Sequence, residues 1–457
     1  MKPVSRREFL KVAGFGAAAT ALAACAPAAP SAPKPAEPAA GEVKEAPAAA
    51  SSGELEGKLV FWGHQDHPIY SAGQAFMKKY PKVVFEQPEM AEWDKAVESA
   101  LAAGSGLPDM VWQEATNVQR DARRGILMDV TDVVKKHEAE LAPAKLAEAL
   151  YQGKYWGMPG DITPNNLWWR PDLVEKAGVG PITEEIKYDE FLQMAKEVKA
   201  KIDASLFVQE ETVDGQGKLM FTVPFYSLGG NFTDETGEQV LVDSEIGIQA
   251  MEYAKQAWDT GAGLNAGWFS PPYWGAIKDG KLAGTYSPPW MRGFFQTEVT
   301  SPEQGQGKWR NQLVPIYPGA VARTNVWGGA TLVSFSTNPQ PDLVKAFMEF
   351  TFCTMEGAQV TGDWGIIPPY LPWLKSEFKN TKQTLFEAGW DWTGQIVKAL
   401  EQMRTDFYRM PGYGIADGAM AKFMPAILKG EKSVKDGMKE YGDYVRSENA
   451  KLLESLK

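Results

Sequence analysis

Short apolar, β-prone runs alternate with amphipathic stretches once the chain has passed its N-terminal segment, and this alternation constrains the fold most. Residues 58–62 and 83–85 are predicted strands, with a predicted helix over 71–80 between them. A second helix over 92–103 leads to a third strand at 109–112. Strands that alternate with helices predict an α/β fold with a mostly parallel sheet and helices on both faces.

Acidic residues follow two of these strands. Asp66 comes shortly after the first strand, and Glu114 is expected in a loop after the third. Ligands of such sheets bind beyond the carboxyl ends of the strands, so both carboxylates are candidate ligand contacts. Each could instead cap the helix that follows it, and this second interpretation stays open at this point.

Two later segments are predicted to cross between halves of the molecule. A hairpin is predicted to end near Asp161. The strand that follows it, around 167–171, is expected to pair with a different set of strands. Trp327 and two glycines precede another apolar strand at 330–335. Helices are predicted near 189–202, near 243–260, over 341–353 and through the end of the chain, with no clear internal repeat.

The N-terminus is typical of an exported precursor. Arg6 and Arg7 follow a positively charged start and match the twin-arginine export signal. The apolar run over 12–24 is too short for a membrane span, which needs about 20 residues. Residues 22–25 are similar to the lipobox of bacterial lipoproteins, in which the cysteine becomes lipidated. Residues 1–24 are therefore predicted to be a twin-arginine lipoprotein signal peptide, with an ordinary signal peptide as the alternative.

Cys25 is the predicted site of lipidation, through which the chain would be held on the extracytoplasmic face of the cell membrane. Residues 25–53 are rich in Ala and Pro and contain no aromatic residue, so they are predicted to be a tether. Cys353 is the other of the two cysteines, and it is expected to be a buried hydrophobic residue without a disulfide.

The remaining 400 or so residues are long enough for two lobes. The chain is acidic, with a formal net charge of −11, and it has no basic patch in sequence, which argues against a nucleic-acid partner. All sixteen tryptophans lie beyond residue 53. So many amphipathic rings are unusual and favour a recognition surface in addition to core packing.

Four segments together resemble the family 1 extracellular solute-binding proteins of ABC importers, which include maltose-binding-type proteins. They are residues 59–66, 100–112, 151–171 and 285–291, the last containing Trp290. The resemblance extends over the whole body of the chain and rests on the order and spacing of these segments. It implies a two-lobed periplasmic-binding-protein-like fold of type II, in which hinge strands join the lobes and solute binds in the cleft between them.

By position, the resemblance assigns residues 54–161 and 330–372 to lobe one. Residues 162–329 and 373–457 form the expected lobe two. The chain departs from the family pattern at Asp161, where some members carry an apolar residue, and in a polar insertion near 205–220. The resemblance further implies capture of a carbohydrate, as a di- or oligosaccharide, and its delivery to the permease subunits of an ABC transporter. The protein is expected to be a monomer that needs no cofactor.

Sugar hydroxyls suit carboxylates, and the C–H faces of sugar rings lie well on aromatic rings. The candidate substrate-binding residues are therefore acidic or aromatic: Trp62, Asp66, Glu114, Asp161, Trp290, Trp327 and Trp364. Core packing is the alternative for the four tryptophans. Trp274, Arg292 and Tyr413 are weaker candidates.

Other interpretations remain open from sequence alone. His64, Asp66 and His67 could begin a zinc site that Glu114 completes, but the chain has only three histidines and no thiolate nearby, so no metal is expected. The solute could be a polyamine or a peptide rather than a sugar. A secreted glycoside hydrolase would also need carboxylates and tryptophans in a cleft. No hydrolase motif is present, so the chain is expected to bind its solute without chemistry.

Overall fold

A computed structural model describes residues 55–64, 67–90, 92–404, 406 and 409–456 of the chain. The predicted signal peptide, Cys25, the tether and Asp66 lie outside the described residues. Within them, no helix combines the length and the apolar character needed to cross a membrane.

Ten strands are described. They are β1 (Glu56–Trp62), β2 (Lys82–Glu86), β3 (Met110–Glu114), β4 (Leu150–Tyr151), β5 (Lys154–Tyr155), β6 (Met158–Pro159), β7 (Asn166–Trp169), β8 (Gly284–Ser287), β9 (Arg310–Gln312) and β10 (Ala330–Val333). The alternation of strands and helices predicted for the first part of the body is confirmed.

Helices cover both sheets and fill the end of the chain. They are α1 (Pro68–Lys79), α2 (Trp93–Ala103), α3 (Ala115–Arg123), α4 (Thr131–His137), α5 (Pro143–Ala149), α6 (Pro171–Lys176), α7 (Tyr188–Ile202), α8 (Leu219–Ser227), α9 (Glu245–Asp259), α10 (Pro271–Lys278), α11 (Met291–Glu298), α12 (Pro341–Cys353), α13 (Met355–Trp364), α14 (Leu371–Ser376), α15 (Trp392–Glu401), α16 (Tyr413–Leu428) and α17 (Val434–Ser455).

The larger sheet has five strands in the order β2-β1-β3-β10-β6. β1 pairs in parallel with β2 and β3, whereas β10 is antiparallel to both β3 and β6. The sequence-based prediction of a mostly parallel sheet is therefore correct only for the first three strands. A helix leads from each of these strands to the next, but β10 enters the sheet directly from a crossing segment and runs in the opposite direction.

The second sheet is antiparallel and has the order β8-β7-β9. All four residues of β7 and all four of β8 are buried. Neither strand contains a charged residue, as expected where both faces of a strand are buried.

Aromatic rings fill the space between the five-stranded sheet and its helices. Phe61 of β1, Phe76 of α1 and Phe347 of α12 are fully buried, and the rings of Phe76 and Phe347 lie 5.3 Å apart. Cys353 is buried at the end of α12, as the sequence predicts. A second core joins α7, α9, α16 and α17, with Tyr188 and Tyr317 at a ring distance of 4.4 Å.

Three chain segments run side by side between the two sheets. The amide of Asn165 donates to the carbonyl of Asn325 at 2.9 Å, and the amide of Trp327 donates to Thr163 at 3.2 Å. Ile162 donates to the carbonyl of Ile367 at 2.7 Å. Both crossings predicted from the sequence lie here, and they bring residues distant in sequence to one place. The exact limits of the two lobes stay a prediction.

Candidate functional site

A cavity of about 690 Å³ lies where the crossings leave the five-stranded sheet. Its volume is within the range of pockets that hold a drug-sized ligand. Aromatic and charged side chains dominate its lining: His64, His67, Trp112, Glu114, Asp161, Asp214, Lys218, Trp268, Phe269, Trp290, Phe294, Trp327, Trp364, Arg409, Tyr413 and Asp417. Five of the seven substrate-binding candidates predicted from the sequence therefore meet at one cavity.

Glu114 is placed on the cavity by the end of a strand. β3 pairs with β10 as far as Glu114, which is opposite Ala330, and α3 begins at the next residue. The predicted loop is therefore absent, because pairing with β10 extends the strand. Glu114 occupies the N-cap position of α3, but its side chain makes no capping hydrogen bond. Helix capping thus does not account for this carboxylate.

The environment of Glu114 favours its neutral form. Its side chain is exposed to the cavity, but protein surrounds the cavity, so the carboxyl is removed from bulk water. This burial raises the pKa of Glu114 to about 7, although the positive charge of Arg409 acts to lower it. Asp161 raises this pKa further and Lys145 lowers it. Near neutral pH, Glu114 can therefore both donate and accept hydrogen bonds.

Asp161 lies at the first crossing and has only 4 % of its surface exposed. Its Oδ1 accepts a hydrogen bond from the amide of Ala330 at 2.7 Å, which ties the first crossing to the second. Burial raises the pKa of Asp161, while Lys145 and the bond from Ala330 act in the opposite direction. The carboxylate thus has a structural role in joining the crossings and also lines the cavity.

Six aromatic side chains form one wall of the cavity, which we call the aromatic wall: Trp268, Phe269, Trp290, Phe294, Trp327 and Trp364. The rings of Trp268 and Trp290 are 5.4 Å apart, and those of Trp268 and Trp327 are 5.7 Å apart. Phe294 lies 5.3 Å from Trp364 in an edge-to-face arrangement. These partly exposed rings present apolar faces to the cavity, as stacking on a sugar requires.

Local sequence explains how two of these rings reach the cavity. Phe269 has a φ of +58°, which is uncommon for a bulky residue, and its side chain is 40 % exposed. Ser270 then caps α10 by accepting from the amide of Tyr273. The left-handed residue directly before the cap turns the aromatic pair Trp268-Phe269 away from the helix and towards the cavity.

The charged floor of the cavity includes groups that sequence reasoning missed. Lys218 donates to Asp417 at 2.8 Å, and Arg409 donates to the carbonyl of Gly329 at 3.3 Å. These residues come from three distant parts of the chain, and no motif links them. Tyr413, which is only a weaker candidate from the sequence, also lines the cavity. For Trp268 and Phe269, the sequence offered a signal in the aromatic loop before two prolines.

Trp62 and two weaker candidates lie away from the cavity. Trp62 is partly buried and packs against the core that contains Val111. Arg292 is almost fully buried and donates to the carbonyls of Lys382 and Asp363. It therefore has a structural role. Trp274 is buried beside other aromatic rings.

His67 has a structural role at the edge of the cavity. Its Nδ1 accepts from the amide of Ile69 at 3.2 Å and so caps α1. Burial, followed by the charge of His64, lowers the pKa of His67 to about 3. Among the described residues, no group of three or more His, Cys, Asp or Glu side chains is arranged to hold a metal ion.

The site therefore combines an aromatic wall with a floor of carboxylates and cations. Such a floor can exchange hydrogen bonds with several hydroxyl groups, and the wall can cover the C–H face of a ring. A solute with both kinds of surface satisfies both parts of the cavity at once.

Comparisons with known proteins agree with this geometry. Residues 71–407 match the family model described as bacterial extracellular solute-binding protein. An arabinooligosaccharide-binding protein of Bacillus subtilis is 22 % identical over 68 % of this chain and 72 % of its own length. A lactose-binding protein of Rhizobium radiobacter is 24 % identical over 63 % of this chain and 69 % of its own.

Solved structures show the same fold. The GacH receptor of Streptomyces glaucescens superposes with a TM-score of 0.70 at 21 % identity, over 88 % of this chain and all of the other. A binding protein of Bifidobacterium animalis subsp. lactis, solved with β-1,6-galactobiose, gives a TM-score of 0.72 at 20 % identity, over 86 % and 99 % of the two chains. At these identities the likeness concerns the fold, which is the two-lobed α/β fold of type II binding proteins.

Proposed function

The chain belongs to the bacterial extracellular solute-binding proteins, and we propose that it captures a carbohydrate, a di- or oligosaccharide, and delivers it to an ABC transporter permease. The observation that carries this proposal is the cavity that the aromatic wall lines together with Glu114 and Asp161. The family and the named relatives are binding proteins, and two of the relatives are named for arabinooligosaccharides or lactose.

The chemistry of the cavity supports an uncharged, hydroxyl-rich solute. The volume of about 690 Å³ suits a ligand larger than a single small ring. The ion pair between Lys218 and Asp417 leaves neither charge wholly available to an ionic ligand, whereas both can still bind hydroxyl groups. Trp290, Trp327 and Trp364 are the proposed stacking residues, and Glu114 and Asp161 are the proposed polar contacts.

Export and anchoring complete the proposal. The twin arginines and the lipobox-like residues 22–25 support export as a lipoprotein, with lipid on Cys25. The Ala/Pro-rich tether over 25–53 would then let the body reach both the solute and the permease at the membrane surface.

Isothermal titration calorimetry of the purified protein against mono-, di- and oligosaccharides tests this proposal. We expect saturable heat with at least one sugar and none with a polyamine or a short peptide. Chromatography of the sugar after prolonged incubation should return it unchanged. Binding of only the polyamine or peptide, or the absence of any sugar binding, would contradict the carbohydrate assignment. Cleavage of the sugar would instead indicate a glycoside hydrolase.

A further inference from the structure

Arg409 holds two consecutive carbonyl groups of the second crossing. Its Nη2 donates to the carbonyl of Gly328, and its Nη1 donates to that of Gly329 at 3.3 Å. Only 4 % of its surface is exposed, and its guanidinium lies 5.6 Å from the centre of the Tyr413 ring. A planar guanidinium can bridge two acceptors in a fixed geometry, which an ammonium group cannot.

The charge of Arg409 is balanced inside the protein. Burial alone would lower its pKa, but the carboxylate of Glu148, the nearby Tyr413 and, when it is ionised, Glu114 raise it. The guanidinium therefore stays charged at its buried position. It makes strong, charge-assisted hydrogen bonds to the two carbonyls.

The two bridged glycines have a conformation that other residues adopt with difficulty. Gly328 has a φ of +73° and Gly329 a φ of +102°. A Cβ on Gly328 would lie 3.3 Å from Nε1 of Trp290, and one on Gly329 would lie 2.8 Å from Nζ of Lys145. The crossing thus depends on this left-handed backbone, whose carbonyls Arg409 holds in place.

Trp327 directly precedes these glycines and belongs to the aromatic wall. Its carbonyl accepts a hydrogen bond from Nε1 of Trp290 at 3.3 Å, and its ring packs 5.7 Å from that of Trp268. The carbonyl of Gly329 also accepts from the amide of Ala115, the residue after Glu114. The position of Trp327 relative to Glu114 is therefore set by the same short segment that Arg409 holds.

We propose that Arg409 is a positioning residue for solute capture, which fixes the Gly328-Gly329 segment and with it the position of Trp327 in the aromatic wall relative to Glu114. This inference rests on the proposed function, since it concerns the same cavity. Arg409 affects affinity indirectly: it holds the backbone of Gly328 and Gly329, and this backbone positions Trp327.

A double-mutant cycle with Arg409→Lys and Gly328→Ala tests the proposal on the purified protein. The lysine keeps the charge but loses the two-pronged bridge, and the alanine disfavours the left-handed backbone. Calorimetric titration with the sugar that the wild type binds gives the dissociation constants. We expect each variant to weaken affinity about tenfold and the double variant to weaken it about tenfold as well, instead of a hundredfold, because both changes disturb one segment.

Two matched controls separate this effect from general damage. Arg404 also donates to backbone carbonyls, those of Gly230 and Tyr226, but it does not line the cavity. Gly319 has a φ of +82° and also lies away from the cavity. Arg404→Lys and Gly319→Ala should leave the dissociation constant within about twofold of that of the wild type, whatever they do to the melting temperature.

The outcomes are distinct. A hundredfold loss in the double variant would mean that Arg409 acts independently of the crossing, and it would overturn the proposal. If Arg409→Lys does not fold, Gly328→Ala still decides, because wild-type affinity in that variant would also overturn it. Failure of the wild type to bind any sugar would contradict the proposed function itself and this inference with it.

Discussion

At the scale of single residues, the structure changes what each candidate side chain can do. Glu114 lies at the end of β3 and lines the cavity. Its carboxyl makes no helix-capping hydrogen bond, so it is available to a solute. Asp161 is also a carboxylate, but its Oδ1 already accepts a hydrogen bond from the amide of Ala330. The two carboxylates thus differ in how freely they can bind a solute. This difference arises from contacts with residues that are distant in sequence.

Removing the ring at the centre of the aromatic wall should weaken sugar binding. We expect Trp290→Ala to lower affinity by roughly ten- to a hundredfold, since truncating a central aromatic anchor costs about 1.5–3 kcal/mol. Trp258→Ala is the control, because Trp258 is partly buried on α9 and lies outside the cavity. Calorimetry should show a changed dissociation constant only for the first variant. Equal constants for the wild type and Trp290→Ala would refute the stacking role.

Glu114 should make the unliganded protein less stable as the pH rises. Its folded pKa of about 7 exceeds the ordinary value of 4.5, so the folded state holds more protons than the unfolded state between these values. The free energy of unfolding therefore decreases from pH 4.5 to pH 7 through this group, and Glu114→Gln removes that decrease.

Denaturation with urea at pH 5 and pH 8 measures this effect. From pH 5 to pH 8, the wild type should lose more stability than Glu114→Gln does. The exposed Glu235, which is outside the cavity, provides the control Glu235→Gln, whose pH dependence should match that of the wild type. Parallel pH profiles for the wild type and Glu114→Gln would show that Glu114 titrates normally.

At the scale of elements, short segments and their ends position the site. β3 places Glu114, the helix cap formed by Ser270 follows the aromatic pair, and the Gly328-Gly329 segment carries Trp327. Helix α5 contributes a buried ion pair behind the site, in which Lys145 donates to Glu148. Lys145 is fully buried, and Glu148 is 6 % exposed.

Breaking the ion pair of α5 should cost much more than breaking one on a surface helix. We expect Lys145→Met to lower the free energy of unfolding by about 3–5 kcal/mol, because the buried carboxylate of Glu148 loses its hydrogen-bonded cation and keeps only its charge interaction with Arg409. Lys201→Met removes an exposed pair with Glu197 on α7 and should cost less than about 1 kcal/mol.

Urea denaturation provides both values. The double variant Lys145→Met/Glu148→Met should recover part of the loss, since both charges of the pair are removed while Arg409 loses its interaction with Glu148. A loss in the double variant equal to the sum of the single losses would indicate that the two residues do not act as a pair.

At the scale of the whole molecule, the crossings run between the two sheets, and the cavity lies where they leave the five-stranded sheet. The proposed lipid on Cys25 and the proposed tether would link this body to the membrane, and this gives a separate prediction.

Loss of the anchoring cysteine should release the protein without changing its binding. We expect Cys25→Ser to move the protein from the membrane fraction to the soluble extracytoplasmic fraction, because the acyl chains supply the membrane affinity. Cys353→Ala is the matched control, since it removes the other cysteine, which is buried in α12. Fractionation and immunoblotting measure the distribution. Membrane association of Cys25→Ser equal to that of the wild type would rule out the lipid anchor.

Local pattern predicted the strands and helices well because it depends on neighbours in sequence. The helix over 341–353 has the predicted limits, and β1 and α2 differ from prediction by a few residues at most. The antiparallel entry of β10 was missed, because the direction of a strand in a sheet depends on the path of the chain between the lobes.

The sequence by itself determined the α/β character and the family, and it named five of the residues that line the cavity, since periodicity and the order of segments are properties of the chain alone. Only the tertiary structure decided that Trp62 packs in a core, that Arg292 binds backbone carbonyls, and that Arg409 and Asp417 join the floor. The physical reason is that burial and charge pairing arise from contacts between segments hundreds of residues apart. These contacts also set the raised pKa of Glu114, which no local pattern encodes.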